Sequence, residues 1–182
     1  INTGFVRLAN QRISSDKLRQ LQINLLRSHA AGTGNYFSEK TVRLILLLKI
    51  NSLLRGYSGI RLEVIEALIR FYNTGLMPAI RERGSVGASG DLAPLADLAL
   101  PLIGEGAFLS EDGGIRPAAE VLEDQGISTV ELKEKEGLSL INGTQVSTAM
   151  AIEAILSIRD LFYTITATGA FSTEVMLGTD TA

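Results

Sequence analysis

The residues best placed to do chemistry are Ala88, Ser89 and Gly90, in the stretch GSVGASGDLAPLADLAL at positions 84–100. Three glycines fall within seven residues there, directly ahead of an apolar run that reads as a helix. Gly90 has no Cβ, so a strained backbone could press its amide nitrogen against the Ala88 carbonyl carbon and close a five-membered ring. Loss of one water from that ring and a second from the Ser89 hydroxyl leaves an exocyclic methylidene conjugated to an imidazolone, an electrophile made from the main chain. A plainer reading makes the same glycines a tight turn or an anion cradle at a helix start. A phosphate-binding loop is disfavoured, because GSVGASGD lacks the Gly-Lys-Ser/Thr ending and MPAIRERG before it makes a poor buried strand.

Two further places carry polar groups of interest. His29, the one histidine of the chain, falls in SHAAG at the expected end of a helix, where an imidazole commonly satisfies carbonyls and complements the helix dipole. Asn142-Gly143 lies between LSLI and TQVS, and on local grounds alone it is a strong hairpin-turn signal.

Helices must position these residues. Ser14 and Ser15 can cap a helix carrying Leu18, Leu21, Leu25 and Leu26 on one face, and Ser38 can cap a second, EKTVRLILLLKINSLL, stopped by Gly56. That second helix is apolar almost all round, which predicts burial on every side. A third helix is expected from about Leu62 to Tyr72, ended by NTG. Asp91 can cap LAPLADLALPLI, with Pro94 tolerated in its first turn and Pro101 bending or ending it. GAFLSEDGGIRP reads as a small hairpin turning at Gly113 and Gly114, Pro117 can start a short helix, and Thr144 to Ala167 form a long, strongly apolar one. The expected fold is mainly α with a minor β-hairpin.

Composition narrows the function classes. The 182 residues are 46% hydrophobic, enough for one core, and 17 basic against 20 acidic residues give a formal charge of −3 without a basic cluster. Nucleic acid is therefore not the expected partner. The absence of cysteine removes disulfides, thiolate metal sites and a cysteine nucleophile, and fits a reducing, cytoplasmic compartment. LILLL is far short of the ~20 apolar residues of a membrane span, and no signal peptide is expected. The chain opens on Ile1 and stops at MLGTDTA after a helix-like segment, as a piece of something longer would.

The motifs INTGF, RSHAAG, LLKINSLLRGYSGIR, GSVGASGDLAPLA, LIGEG and KEGLSLINGTQ, in this order across nearly the whole chain, resemble those of the aromatic amino acid ammonia-lyases. The prosthetic group of that family is 4-methylidene-imidazol-5-one (MIO), and the likeness implies Ala88, Ser89 and Gly90 as its precursor. It implies that residues 1–182 are a single N-terminal domain of the fumarase/aspartase-like helical architecture, running into the start of long central helices. The C-terminal part of the parent enzyme, a homotetramer, would be absent. It also implies that Asn142 supports the oxygen of the electrophilic ring, as a donor where negative charge builds up. Ser28-His29 is similar to the pair that faces the substrate side chain in histidine-selective members, whereas phenylalanine-selective ones carry apolar residues there. The implied reaction is elimination of ammonia from L-histidine to give trans-urocanate. A tyrosine- or phenylalanine-directed lyase, an aminomutase using the same electrophile, or a non-catalytic helical assembly fragment are the alternatives. The chain departs from the family at three places: the Tyr-Gly pair expected ahead of INTGF, whose tyrosine is a candidate base, is not in it; Val6 follows INTGF where glycine is usual; and Asp97 stands where histidine-type relatives often have histidine.

Overall fold

A computed structural model describes residues 17–87, 90–179 and 181. The order is α1 (Leu18–His29), β1 (Thr33–Tyr36), α2 (Glu39–Leu54), α3 (Leu62–Thr74), β2 (Arg81–Arg83), α4 (Leu92–Ala99), a 3-10 turn at Leu100–Ile103, β3 (Ala107–Leu109), β4 (Ile115–Pro117), α5 (Ala118–Asp124), α6 (Glu136–Ile141) and α7 (Gln145–Val175). The fold is mainly helical, as the periodicity predicts.

Each helix follows from its sequence pattern, with some corrections. α1 buries Leu18, Leu25 and Leu26 on one face together with Gln22. The proposed caps Ser14 and Ser15 lie outside the described residues, and Lys17, at the cap position, makes no side-chain cap bond. α2 starts as expected, with the Ser38 hydroxyl accepting the Thr41 N–H at 3.2 Å. It is not buried all round, because Leu47 and Leu54 remain exposed. α3 runs to Thr74 and is closed by Gly75 in the left-handed conformation. Pro101 converts the end of α4 into the 3-10 turn. α7 is longer than predicted, continuing to Val175.

Helices α1, α4 and α6 pack on one another, while α2 packs on α3 and on the first part of α7. Their apolar faces share one core, in which Leu26, Ile45, Leu46, Leu68, Leu95, Leu98 and Leu140 are buried. Removing such side chains from water contributes roughly 1.5–3 kcal/mol each. β3 and β4 form the expected antiparallel hairpin, with Phe108 opposite Arg116. Phe108 meets Phe71 of α3 edge-on at 5.1 Å between centroids, which fastens the hairpin to the core.

One pairing has no local signal in the sequence. β2 is antiparallel to β1, far away along the chain. The ribbon that leads into it first bonds to β3, through Ala79 N–H to Ala107 O at 2.9 Å, and then to the β1 side, through Phe37 N–H to Ile80 O at 2.9 Å. This ribbon delivers the chain to Gly84, where the glycine loop begins.

Candidate active site

The glycine loop closes on Gly90, whose φ is +123°, a conformation that side chains with a Cβ rarely adopt. Gly90 forms an isolated parallel bridge with Gly143, which has the same φ of +123°. A Cβ built on Gly90 would stand 2.6 Å from the Gly143 oxygen and 2.8 Å from its nitrogen, so only glycine fits between the two strands of backbone. The next residue strengthens the bridge, since the Asp91 N–H donates to the Gly143 oxygen at 2.8 Å.

Asp91 itself is fully buried. It does not cap α4 with its side chain, as its position before that helix suggests. Its carboxylate instead accepts the Ser147 N–H at 2.8 Å, the Ser147 hydroxyl at 2.6 Å and the Ser85 hydroxyl at 2.6 Å. Ser147 is the third residue of α7, so Asp91 caps α7 from a distance and places its negative charge at the positive end of that dipole. The same carboxylate ties the start of the glycine loop, through Ser85, to the start of α7. Two helix N-termini, those of α4 and α7, therefore converge on Gly90.

Asn142-Gly143 is no hairpin. LSLI belongs to α6, Asn142 is its C-cap, and the pair makes the short link to α7. The Asn142 side chain is exposed, and its carbonyl accepts from Lys49 Nζ at 2.7 Å. The same ammonium donates to Ser139 O at 2.9 Å. Lys49 is 1% exposed, and burial pushes its pKa down from the ordinary lysine value to about 7, while the two carbonyls at the negative end of α6 favour the charged form. Gln145 lies against Gly143, and its Oε1 is buried without a hydrogen-bond partner among the described residues. Lys49 lies in LLKINSLLRGYSGIR and Gln145 ends KEGLSLINGTQ, but neither motif assigns them a role.

Ser28 and His29 end α1. His29 Nδ1 lies 2.8 Å from Leu25 O and 3.1 Å from Ser28 Oγ. A carbonyl can only accept, so Nδ1 carries the proton, which leaves Nε2 as the acceptor in the tautomer with one ring proton. Among the described residues no hydrogen bond joins either side chain to Gly90 or Asn142. The backbone just beyond them does reach the loop: Gly32 Cα would lie 3.1 Å from a Cβ on Gly84. Asp97, on α4, accepts the Arg81 N–H at 3.1 Å and so holds β2 to the helix that follows the loop; burial raises its carboxyl pKa, partly offset by that N–H. Ala88, Ser89 and Val6 lie outside the described residues.

The residues present fit a ring formed at 88–90. The third position must be glycine with its backbone crowded from one side, and Gly90 meets both demands. Beside it lie Gly143 and the starts of α4 and α7.

Comparison with known proteins points the same way. The family model described as aromatic amino acid lyase matches residues 1–182. The chain is similar to histidine ammonia-lyase of Shewanella pealeana, 57% identical over 162 residues, which is 89% of this chain and 32% of the relative. Among solved structures it resembles histidine ammonia-lyase from Trypanosoma cruzi, with a TM-score of 0.90 and 39% identity over 98% of this chain and 34% of the other. Tyrosine aminomutase from Streptomyces globisporus superposes with a TM-score of 0.77 and 42% identity over 82% of this chain and 28% of that one. The chain spans about a third of the length of the curated relatives it matches.

Proposed function

Since this chain belongs to the aromatic amino acid lyase family, we propose that it is the N-terminal domain of a histidine ammonia-lyase, which converts L-histidine to trans-urocanate and ammonia. The observation that carries this reading is the backbone contact between Gly90 and Gly143, a local compression directly after Ala88-Ser89. Strain of this kind is kept only where its surroundings over-determine it. Here Asp91, Ser85, Ser147 and Lys49 do so.

In this reading Ala88, Ser89 and Gly90 are the precursor of MIO, which when formed supplies an electrophilic methylidene carbon. Asn142, next to the Gly143 that meets Gly90, is given the role of side-chain amide donor that stabilises developing negative charge. His29, with Nδ1–H committed to Leu25 O, offers Nε2 to the substrate imidazole, and Ser28 holds the ring from the side. A site that trades a hydrogen bond with the substrate rejects analogues that lack it.

The reading includes the homotetramer and a cytoplasmic place of action. The exposed apolar residues of α7, among them Leu161, Phe162 and Ile165, support an assembly that covers them, and the absence of cysteine fits a reducing compartment.

An aminomutase is the second reading, favoured by the 42% identity to tyrosine aminomutase. The test is to give the full-length enzyme L-histidine, L-tyrosine and L-phenylalanine separately and to analyse the products. Urocanate and ammonia from L-histidine alone are expected. A β-amino acid product would replace the lyase with the mutase, and equal turnover of the three substrates would remove the role given to His29.

A further inference from the structure

Lys49 stands in the middle of α2 with its side chain fully buried, and among the described residues its ammonium has main-chain carbonyls as its hydrogen-bond partners, not a carboxylate. A buried cation without an opposite charge is costly, and a methionine of similar length would fill the same space without that cost. The partners show what the charge is used for. Ser139 O and Asn142 O lie at the C-terminal end of α6, where carbonyls lack intrahelical donors and the dipole is negative. Lys49 satisfies both.

The second of these carbonyls is the informative one. Asn142 O turns to Lys49 at 2.7 Å, while the next carbonyl, Gly143 O, turns to the Asp91 N–H at 2.8 Å and would lie 2.6 Å from a Cβ on Gly90. The two successive carbonyls are thus held from two directions. A backbone can press on its neighbour only if it is held from behind, and Lys49 is the group that does so.

We infer that Lys49 is a positioning residue for ring formation at Ala88-Ser89-Gly90: its ammonium fixes the Asn142 carbonyl so that the Gly143 peptide is kept pressed against Gly90. The inference rests on the reading of those three residues as the ring precursor. Among the described residues Lys49 makes no hydrogen bond to Gly90, so its action on the loop runs through the Asn142 carbonyl. Its effect is on how fast Gly90 nitrogen reaches the Ala88 carbonyl carbon, the step after which two waters leave.

The experiment follows ring formation directly in the full-length protein, by intact mass and near-UV absorbance at set times after synthesis, for the wild type, Lys49→Met and Lys49→Gln. A wild type that never loses two waters would remove the precursor reading itself, independently of Lys49. With a maturing wild type, Lys49→Met should keep its helical circular dichroism yet mature roughly tenfold more slowly, equivalent to about 1.4 kcal/mol of lost positioning. Lys49→Gln, which keeps a donor without the charge, should fall between the two. Lys49→Met maturing at the wild-type rate would overturn the inference, as would failure of both variants to fold, which would make Lys49 a folding residue only. Fully matured Lys49→Met should recover normal KM for its substrate, a result that damage to the substrate pocket would not give.

Discussion

Gly90 and Gly143 sit side by side as a two-residue parallel bridge with identical φ of +123°; a side chain on Gly90 would run into the Gly143 backbone, and one on Gly143 into the Gln145 side chain. The contact brings together two segments that begin two different helices, and it depends on both helix starts being in place.

Ser89 is expected to supply the methylidene carbon. Ser89→Ala in the full-length enzyme should abolish the near-UV absorbance of the ring and reduce turnover to background, while far-UV circular dichroism stays unchanged. An active alanine variant would end the chemical reading.

Asn142→Ala tests the donor role proposed for this side chain. Loss of one such donor typically lowers kcat by about 10²–10³-fold, and the effect should fall on kcat with ring absorbance retained. A change confined to KM would assign Asn142 to substrate binding instead.

His29→Leu removes the acceptor proposed to meet the substrate ring. kcat/KM for L-histidine should fall roughly 10²-fold while that for L-phenylalanine is spared or improved. Equal loss for both would leave His29 with its helix-end contact to Leu25 alone.

Glu136 gives an acid limb to stability. It is 2% exposed, and burial works to raise its pKa, but the Arg61 hydrogen bond, the Lys133 and Arg61 amides and the Arg61 charge together bring it below the ordinary 4.5. A carboxylate depressed in the folded state stabilises above its unfolded pKa, and that contribution is lost as pH falls through the folded value. Glu136→Gln should therefore cost about 1.5–3 kcal/mol at neutral pH and much less near pH 3, read as the difference in urea midpoint between variant and wild type. A pH-independent difference would mean that packing, and not the charge pair with Arg61, is what Glu136 supplies.

The isolated 182-residue chain should self-associate and stay inactive. From Ala154 to Val175 every residue of α7 is exposed, and several are large and apolar. Light scattering of the wild type against Leu161→Glu with Phe162→Glu is the measurement; a monodisperse wild-type monomer would be the contrary result.

Much of this was legible locally. Helix α2 has its cap, α3 its glycine stop and the β3–β4 hairpin its turn, because each depends on neighbours in sequence. The expectation at Ala88-Ser89-Gly90 rests on residue chemistry, and of the three the structure describes Gly90, pressed against Gly143. Two local rules lost to distant partners. Asp91 reads as the cap of the helix it precedes, yet Ser147 and Ser85 surround it in space and take its oxygens. Asn142-Gly143 reads as a hairpin turn because LSLI suits a strand or a short helix equally, and packing of α6 on α1 and α4 decided for the helix. The β1–β2 pair and the Lys49 contacts had no local pattern to find.

The clasp of Asp91 on Ser147 also orders events during synthesis. Ser147 follows Asp91 by 56 residues. At about 5–20 residues per second, the glycine loop leaves the ribosome several seconds before its clasp exists, and during that interval Ala88-Ser89-Gly90 is a relaxed, ordinary peptide. A nascent chain stalled short of Gly143 cannot assemble the bridge, and one stalled short of Ser147 lacks the clasp that holds it. Maturation at Gly90 would then act as a timestamp: a chain that carries the ring has already been translated past the first turn of α7 and has docked it.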